Sequence, residues 1–415
     1  MKTTRLQEGV QLHIIESKKY KDVSIYFNYY QKTNAKNRVT RSLLGQIMSD
    51  KCEAYPTKSK MAEQKDKLYG ASIYTSNFTY GTGNIFQVSC KVLNDLYCKK
   101  GVLENSLNLL KNVIEHPIIQ LSELDEAKRN LKDSAYRKMD KPALFASSRA
   151  FSIYGENTYL AYSSILNPES IEEVTLDEII KEHHAITMDN PLDIYVFGNV
   201  DKDEIISLIN QIFCFNSHDK LNHVKEEIAD KPAVKVIEHK QSDQCSLIMF
   251  FKTYVDIDSD DYYVLKAANT LFGAVPASFL FQEVREKNSL CYSISSTISG
   301  QEQLLIIKTG IDHANDEKVI ALVHEQLDKM KQGHFEMDDF YAALQLYNNV
   351  LKGSKDDIVS SLNFEYTSML TSSNVGIDET IKKMSAVSKE DIMRVFSQLE
   401  LKLTYILKKE DSSNE

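Results

Sequence analysis

The sequence predicts an α+β fold of two similar domains, each a mainly antiparallel sheet with helices packed on one face. Three observations predict it. Strand-like and helical patterns come in runs rather than in strict alternation. The same order of patterns occurs twice along the chain. A length of 415 residues also exceeds one ordinary core and calls for two domains or more.

The duplication is legible element by element. The stretch "IIESKKYKDVSIYFNY" (14–29) aligns without gaps with "VIEHKQSDQCSLIMFF" (236–251). Ile15, Glu16, Lys18 and Ser24 meet Ile237, Glu238, Lys240 and Ser246. Each stretch predicts two strands joined across a polar turn. Residues 102–131 resemble 319–351, an amphipathic helix, a polar break and a second helix. Val102, Leu107, Leu110 and Ile114 recur at helical spacing, as do Val319, Val323, Leu327 and Met330. "VTLDEIIKEH" (174–183) resembles "VSKEDIMRVF" (387–396). Each opens on a capping-box pattern, Thr175 to Glu178 and Ser388 to Asp391, and each precedes a strand. "YGTGN" (80–84) predicts a hairpin turn. The predicted domains are 1–215 and 233–415, with a polar linker over 216–232 and a frayed tail in "KKEDSSNE".

Composition narrows the function classes. Hydrophobic residues make up 42% and charged residues 26%, an ordinary globular balance. A net charge of −10 with no basic stripe argues against a nucleic-acid partner. The N-terminus has no apolar signal segment, and no run approaches the eighteen apolar residues of a membrane span. A cytoplasmic protein is expected. Cys52, Cys90, Cys98, Cys214, Cys245 and Cys291 form no CxxC pair and read as thiols rather than disulfides or zinc ligands.

One long motif carries more. "LFGAVPASFLFQEVREKNSLCYSISS" resembles the C-terminal signature of the M16 metallopeptidases, the pitrilysin, insulinase and mitochondrial-processing-peptidase family. The matching residues are Leu271, Gly273, Ser278, Leu280, Phe281, Arg285, Glu286, Lys287, Leu290 and Tyr292. In the first half, "NPESIEEVTLDEIIKEHHAITMDNPLDIYVFGNVDKDEI" resembles a second stretch of that family. The resemblance implies a clamshell half in which Arg285 and Tyr292 bind substrate. A guanidinium offers a rigid fork of donors, and a phenol can donate to a carbonyl or an oxyanion. Taken alone, the two residues read as a helix-terminal ion-pairing arginine and a half-buried strand tyrosine.

The same resemblance implies a zinc motif that this chain lacks. Active members carry HxxEH on the first long helix, two histidines on one face with a glutamate base between them. Alignment places Ser42, Gly45 and Gln46 at those positions, and residues 30–115 contain no histidine. The third ligand, a glutamate in the family, falls near Asp133, with Glu126 two turns earlier. His183 and His184 are adjacent and diverge on a helix; His218, His223, His313, His324 and His334 have no metal-binding spacing. No cofactor is therefore expected in this chain.

M16 members often work as pairs in which one chain has lost HxxEH, and the chain resembles the short inactive bacterial subunits. The leading expectation is a noncatalytic subunit that helps enclose a peptide substrate. A partner chain of similar size carrying HxxEH would supply the zinc. The alternative is a scaffold or peptide-binding protein without a proteolytic role, possible as a homodimer. A third is an autonomous hydrolase built on Asp133, Glu126 and a distant histidine.

Overall fold

The computed structural model describes residues 2–162, 164–219, 221, 225–241, 245–312, 314–371 and 375–410. They fall into two compact units. One comprises 1–136 with 166–224, the other 137–165 with 225–415. His223, His313, part of the 216–232 linker and the end of the tail lie outside the described residues.

In the first unit the order is β1 (Lys2–Gln7), β2 (Val10–Glu16), β3 (Asp22–Lys32), α1 (Ala35–Asp50), α2 (Lys58–Lys67), β4 (Ser72–Tyr80), β5 (Gly83–Leu93), α3 (Val102–Glu115) and α4 (Leu121–Met139). The next helix, α5 (Pro142–Tyr154), belongs to the second unit. The first unit resumes with α6 (Pro168–Glu172), α7 (Leu176–Met188), β6 (Leu192–Gly198) and α8 (Lys202–Ile212). The second unit continues with β7 (Val234–Lys240), β8 (Cys245–Lys252), α9 (Asp260–Asn269), two π-helical turns (Thr270–Ala274 and Phe281–Lys287), β9 (Cys291–Ser299) and β10 (Leu304–Ile311). It closes with α10 (Asp316–Gln332), α11 (Met337–Ser354), α12 (Ile358–Leu370), α13 (Ile377–Ser385), α14 (Lys389–Ser397) and β11 (Glu400–Lys409).

The sheets run β1-β2-β6-β3-β5-β4 and β7-β11-β8-β10-β9. The predicted strand pairs at 14–29 and 236–251 exist as strands, but they are not hairpins. The last strand of each repeat, β6 or β11, inserts between them, parallel to the first and antiparallel to the second. Both predicted capping boxes form, Thr175 with Glu178 and Ser388 with Asp391. They fix the start of the helix just before each inserted strand. The turn at 81–82 closes β4 onto β5, with Gly81 at φ 52°.

The helical stripes face the sheets as their spacing requires. Leu107, Leu110 and Ile114 of α3 are buried, as are Val319, Val323, Leu327 and Met330 of α10. Each such side chain contributes about 1.5–3 kcal/mol on burial. One helix departs from a single helical layer. Cys245, Leu247, Met249 and Phe251 of β8 face the core under α10 and α14, whereas Ile248 and Phe250 face a second core. That second core contains Ala146, Ala150 and Tyr154 of α5 with Leu403, Tyr405 and Leu407 of β11. Thus α5 covers the opposite face of the second sheet. Arg149 anchors it by a forked pair of bonds to Glu238 of β7 (Nε to Oε2, 3.0 Å; Nη2 to Oε1, 2.5 Å), and Lys308 Nζ donates to Ser147 Oγ at 2.9 Å. The second boundary between the units, after 224, lies within the 216–232 stretch, and residues 137–165 of the first half also belong to the second unit.

Candidate functional site

The helix carrying the degenerate zinc motif starts at Asn34. Its side chain accepts from the backbone N–H groups of Lys36 and Asn37, and Asn37 answers the N-cap N–H at 2.9 Å. Val39, Leu43, Leu44, Ile47 and Met48 bury one side of α1. Ser42 donates to the Arg38 carbonyl at 2.7 Å and accepts from Asn77 Nδ2 at 3.2 Å, which ties α1 to the edge strand β4. At Gly45 an added Cβ would lie 3.0 Å from Thr75 Oγ1 and 3.4 Å from the Phe86 ring. Its carbonyl accepts from both Ser49 Oγ and Thr75 Oγ1 at 2.7 Å. The Ser42 and Gly45 positions have thus become part of the packing between helix and strand.

Gln46 lines a cleft of about 20 Å³ together with Asp50, Lys51, Lys58, Glu123 and Glu126. The structure therefore brings Gln46 to Glu123 and Glu126 of α4 and not to Asp133. Asp133 is exposed and sits seven residues beyond Glu126 on α4, about 10 Å along the axis. The carboxylates of the cleft are already engaged. Lys51 Nζ lies 3.0 Å from Glu123, and Lys58 Nζ lies 2.8 Å from both Glu126 and Asp50. Hydrogen bonding to Lys58 holds the Glu126 carboxyl below its usual range, and the Asp50 and Glu126 carboxylates raise the Lys58 ammonium.

Zinc, which the fold family implies, does not fit this donor set. A serine hydroxyl turned back on its own helix, a glycine and a glutamine replace the histidines and the base. Two ammonium groups take up the negative charge that a dication would need. Among the described residues no cluster of three or more His, Cys, Asp or Glu is arranged to hold a metal. Reinstating the motif as Ser42→His/Gly45→Glu/Gln46→His is expected to yield neither stoichiometric zinc nor peptidase activity. Elemental analysis of the purified variant checks this, and one tightly held equivalent of zinc would contradict it.

Arg285 and Tyr292 form the second element of interest, and here the structure brings the sequence-predicted residues together. Arg285 lies in the π-helical turn Phe281–Lys287, and Ser289 at φ 53° turns the chain into β9. In the pairing with β10, Gly310 faces Ser293 and Ile311 faces Cys291. Tyr292 is therefore the extra residue of a β-bulge, and a bulge re-aims its side chain. The phenol is 81% exposed. The Arg285 guanidinium sits 4.6 Å from the Phe281 ring centre and 5.7 Å from that of Tyr292, a cation held by two aromatic faces. Its nearest carboxylate, Glu286, is 3.7 Å from Nε, beyond hydrogen-bond reach. Among the described residues the guanidinium donates no hydrogen bond, so its fork is oriented by stacking and left unspent. Phe281 was missing from the sequence-derived substrate site, although its i,i+4 spacing to Arg285 was readable. The positions of Glu123, Lys51 and Lys58 carried no such signal.

Beside this pair the π-helical turns pack tightly on β9. An added Cβ at Gly273 would stand 2.4 Å from Ser296 Oγ and 2.8 Å from Leu280 Cδ1. Ser296 in turn exchanges hydrogen bonds with the Asn269 amide. Residues 173–347 match the family model described as "Peptidase M16 inactive domain". Over this stretch the chain is M16-like. Across almost its whole length it is similar to the "Probable inactive metalloprotease YmfF" of Bacillus subtilis, at 25% identity over 96% of both chains. A solved structure of a conserved protein from Enterococcus faecalis is similar at a TM-score of 0.92 and 25% identity, covering 100% of this chain and 99% of the other. A peptidase M16 inactive domain from Pseudomonas fluorescens shares the fold at a TM-score of 0.82 and 16% identity, with 100% and 99% covered. The M16-like chain has no helix long and apolar enough to cross a membrane among its described residues.

Proposed function

We propose that this M16-like chain is the noncatalytic subunit of a two-chain zinc peptidase of the cytoplasm. A partner chain of similar size supplies HxxEH and the zinc, and this chain holds no metal. Its task is to hold the peptide. The observation that carries this reading is the Arg285–Tyr292 pair: a guanidinium stacked on two rings with its donors unspent, next to an exposed phenol on a bulge. An arginine with its donors hydrogen-bonded within the fold and a packed tyrosine would have pointed to a purely structural motif.

The chemistry follows from the residue types. Arg285 offers a planar fork to a peptide carbonyl or carboxylate. Tyr292 offers one O–H to a second acceptor. β9 is the terminal strand of its sheet, so an extended peptide can add to it through main-chain hydrogen bonds without strong sequence demands.

Purification of the native chain with its associated proteins tests the reading. An equimolar chain carrying HxxEH, with peptidase activity only in the pair, is the expected result. A chain that elutes alone or as a homodimer would favour a scaffold without a proteolytic role. In the assembled pair, Arg285→Ala is expected to lower kcat/KM about 10- to 100-fold, the worth of a hydrogen bond to a charged group. Tyr292→Phe should lower it less, and both should leave folding within about 0.5 kcal/mol. Unchanged turnover in the pair would return both residues to a structural role.

A further inference from the structure

The C-terminal half of β9 borders a cavity of about 340 Å³ within the second unit. Its opposite wall is one stripe of α9, in which Tyr262, Lys266 and Asn269 share a face at i, i+4 and i+7. Tyr347 of α11 closes it, and Ser296 and Ile298 of β9 form the floor. The wall holds one cation and no acidic side chain. Among the described residues Lys266 makes neither an ion pair nor a hydrogen bond; its recorded contact is with the Tyr262 ring, 5.5 Å from Nζ. Burial holds its ammonium below the ordinary lysine range. The Tyr347 hydroxyl likewise has no hydrogen-bond partner among the described residues, and burial raises its pKa. A carboxylate would give both donors an acceptor, and a hydrogen bond to a charged group is among the stronger ones.

The strand beside them sets what could bring the anion. Along β9, Ile294 and Ser296 are buried toward the helical layer, while Ser295 and Thr297 are exposed. A peptide paired on the outer edge of β9 would place alternate side chains on the same face as Ser296 and Ile298. That is the face on which Lys266 stands.

We propose that this cavity is a carboxylate pocket, in which a peptide segment added to the edge of β9 delivers an acidic side chain or its own C-terminal carboxylate to Lys266 and Tyr347. The inference rests on the peptide-holding role proposed above and names the chemical class that role would select.

The test uses the full chain and a fluorescein-labelled nonapeptide, Lys-Thr-Val-Thr-Xaa-Thr-Val-Ser-Thr, in three forms. The first has Glu at Xaa and an amidated end, the second Gln and a free C-terminal carboxylate, the third Gln and an amidated end. Fluorescence anisotropy is expected to show at least one carboxylate form binding about tenfold tighter than the neutral form. The form that gains tells a side chain from a terminus. Lys266→Met should abolish the gain and leave the neutral peptide's Kd unchanged, and Tyr347→Phe should reduce it. Equal Kd for all three forms, or a gain that survives Lys266→Met, overturns the pocket and leaves the peptide-holding reading standing. Failure of all three peptides to bind overturns both.

Discussion

Arg41→Ala is expected to destabilise the first unit by about 3–5 kcal/mol, the cost of breaking a buried charged network from one side. Arg41 is fully buried on α1, next to the degenerate motif. Its Nε donates to Glu182 of α7 at 2.8 Å, and its Nη1 to the carbonyls of Asn84 at 2.9 Å and Tyr29 at 3.2 Å. A further short bond reaches the Asn190 side chain. One guanidinium thus joins α1, α7, β3, β5 and the entry to β6. Truncation would leave Glu182, itself mostly buried, without its cation. Amide hydrogen exchange reads this unit by unit: protection should fall in β3, β5 and β6 and persist in β8 and β10. The double variant Arg41→Met/Glu182→Leu should recover part of the loss, because removing both charges avoids an unpaired one. A loss under 1 kcal/mol for Arg41→Ala would mean that water reaches the site.

Gly273→Ala is expected to cost about 1–3 kcal/mol through overpacking, an effect opposite to the usual benefit of removing a helical glycine. The new methyl would meet Ser296 and Leu280, and displacing Ser296 would break its bonds to Asn269. Strain there would reach β9, so the peptide binding proposed for that strand should weaken along with stability. Gly353→Ala provides the control: nothing lies within 4 Å of its added Cβ, and α11 should gain about 0.5–1 kcal/mol. Denaturation midpoints of the two variants should shift in opposite directions. Equal shifts would show that the contact at Gly273 relaxes freely.

Much of this architecture was legible because it repeats. The capping boxes before β6 and β11 and the buried stripes of α3 and α10 are local patterns, and local patterns survive in sequence. The Arg285–Tyr292 motif was legible for the same reason, since a turn and a bulge set its geometry within a dozen residues. Features created by distant partners were not. The insertion of β6 between β2 and β3 depends on pairings about 170 residues apart, which strand patterns do not encode. Of the two α4 carboxylates named from sequence, Glu126 lies beside Gln46 and Asp133 does not, because helix periodicity fixes a face but not how far one helix slides along another. No local pattern singles out Lys51 or Lys58, and only the fold shows that they pair with the carboxylates beside Gln46.

The position of α5 has a consequence for how the protein is made. This helix leaves the ribosome early, yet the surface it covers needs β11, the last strand. Between Tyr154 and Lys409 lie roughly 250 residues, about 10–50 s of synthesis at typical rates. During that interval Ala146, Ala150 and Tyr154 have no completed sheet to cover. The first unit can close around its own six strands in the meantime. Nascent chains stalled before β11 should therefore carry one folded unit and one exposed apolar helix, a natural target for chaperones. Coexpressing the two halves divided at 216–232 would succeed only if this helix finds its sheet in trans.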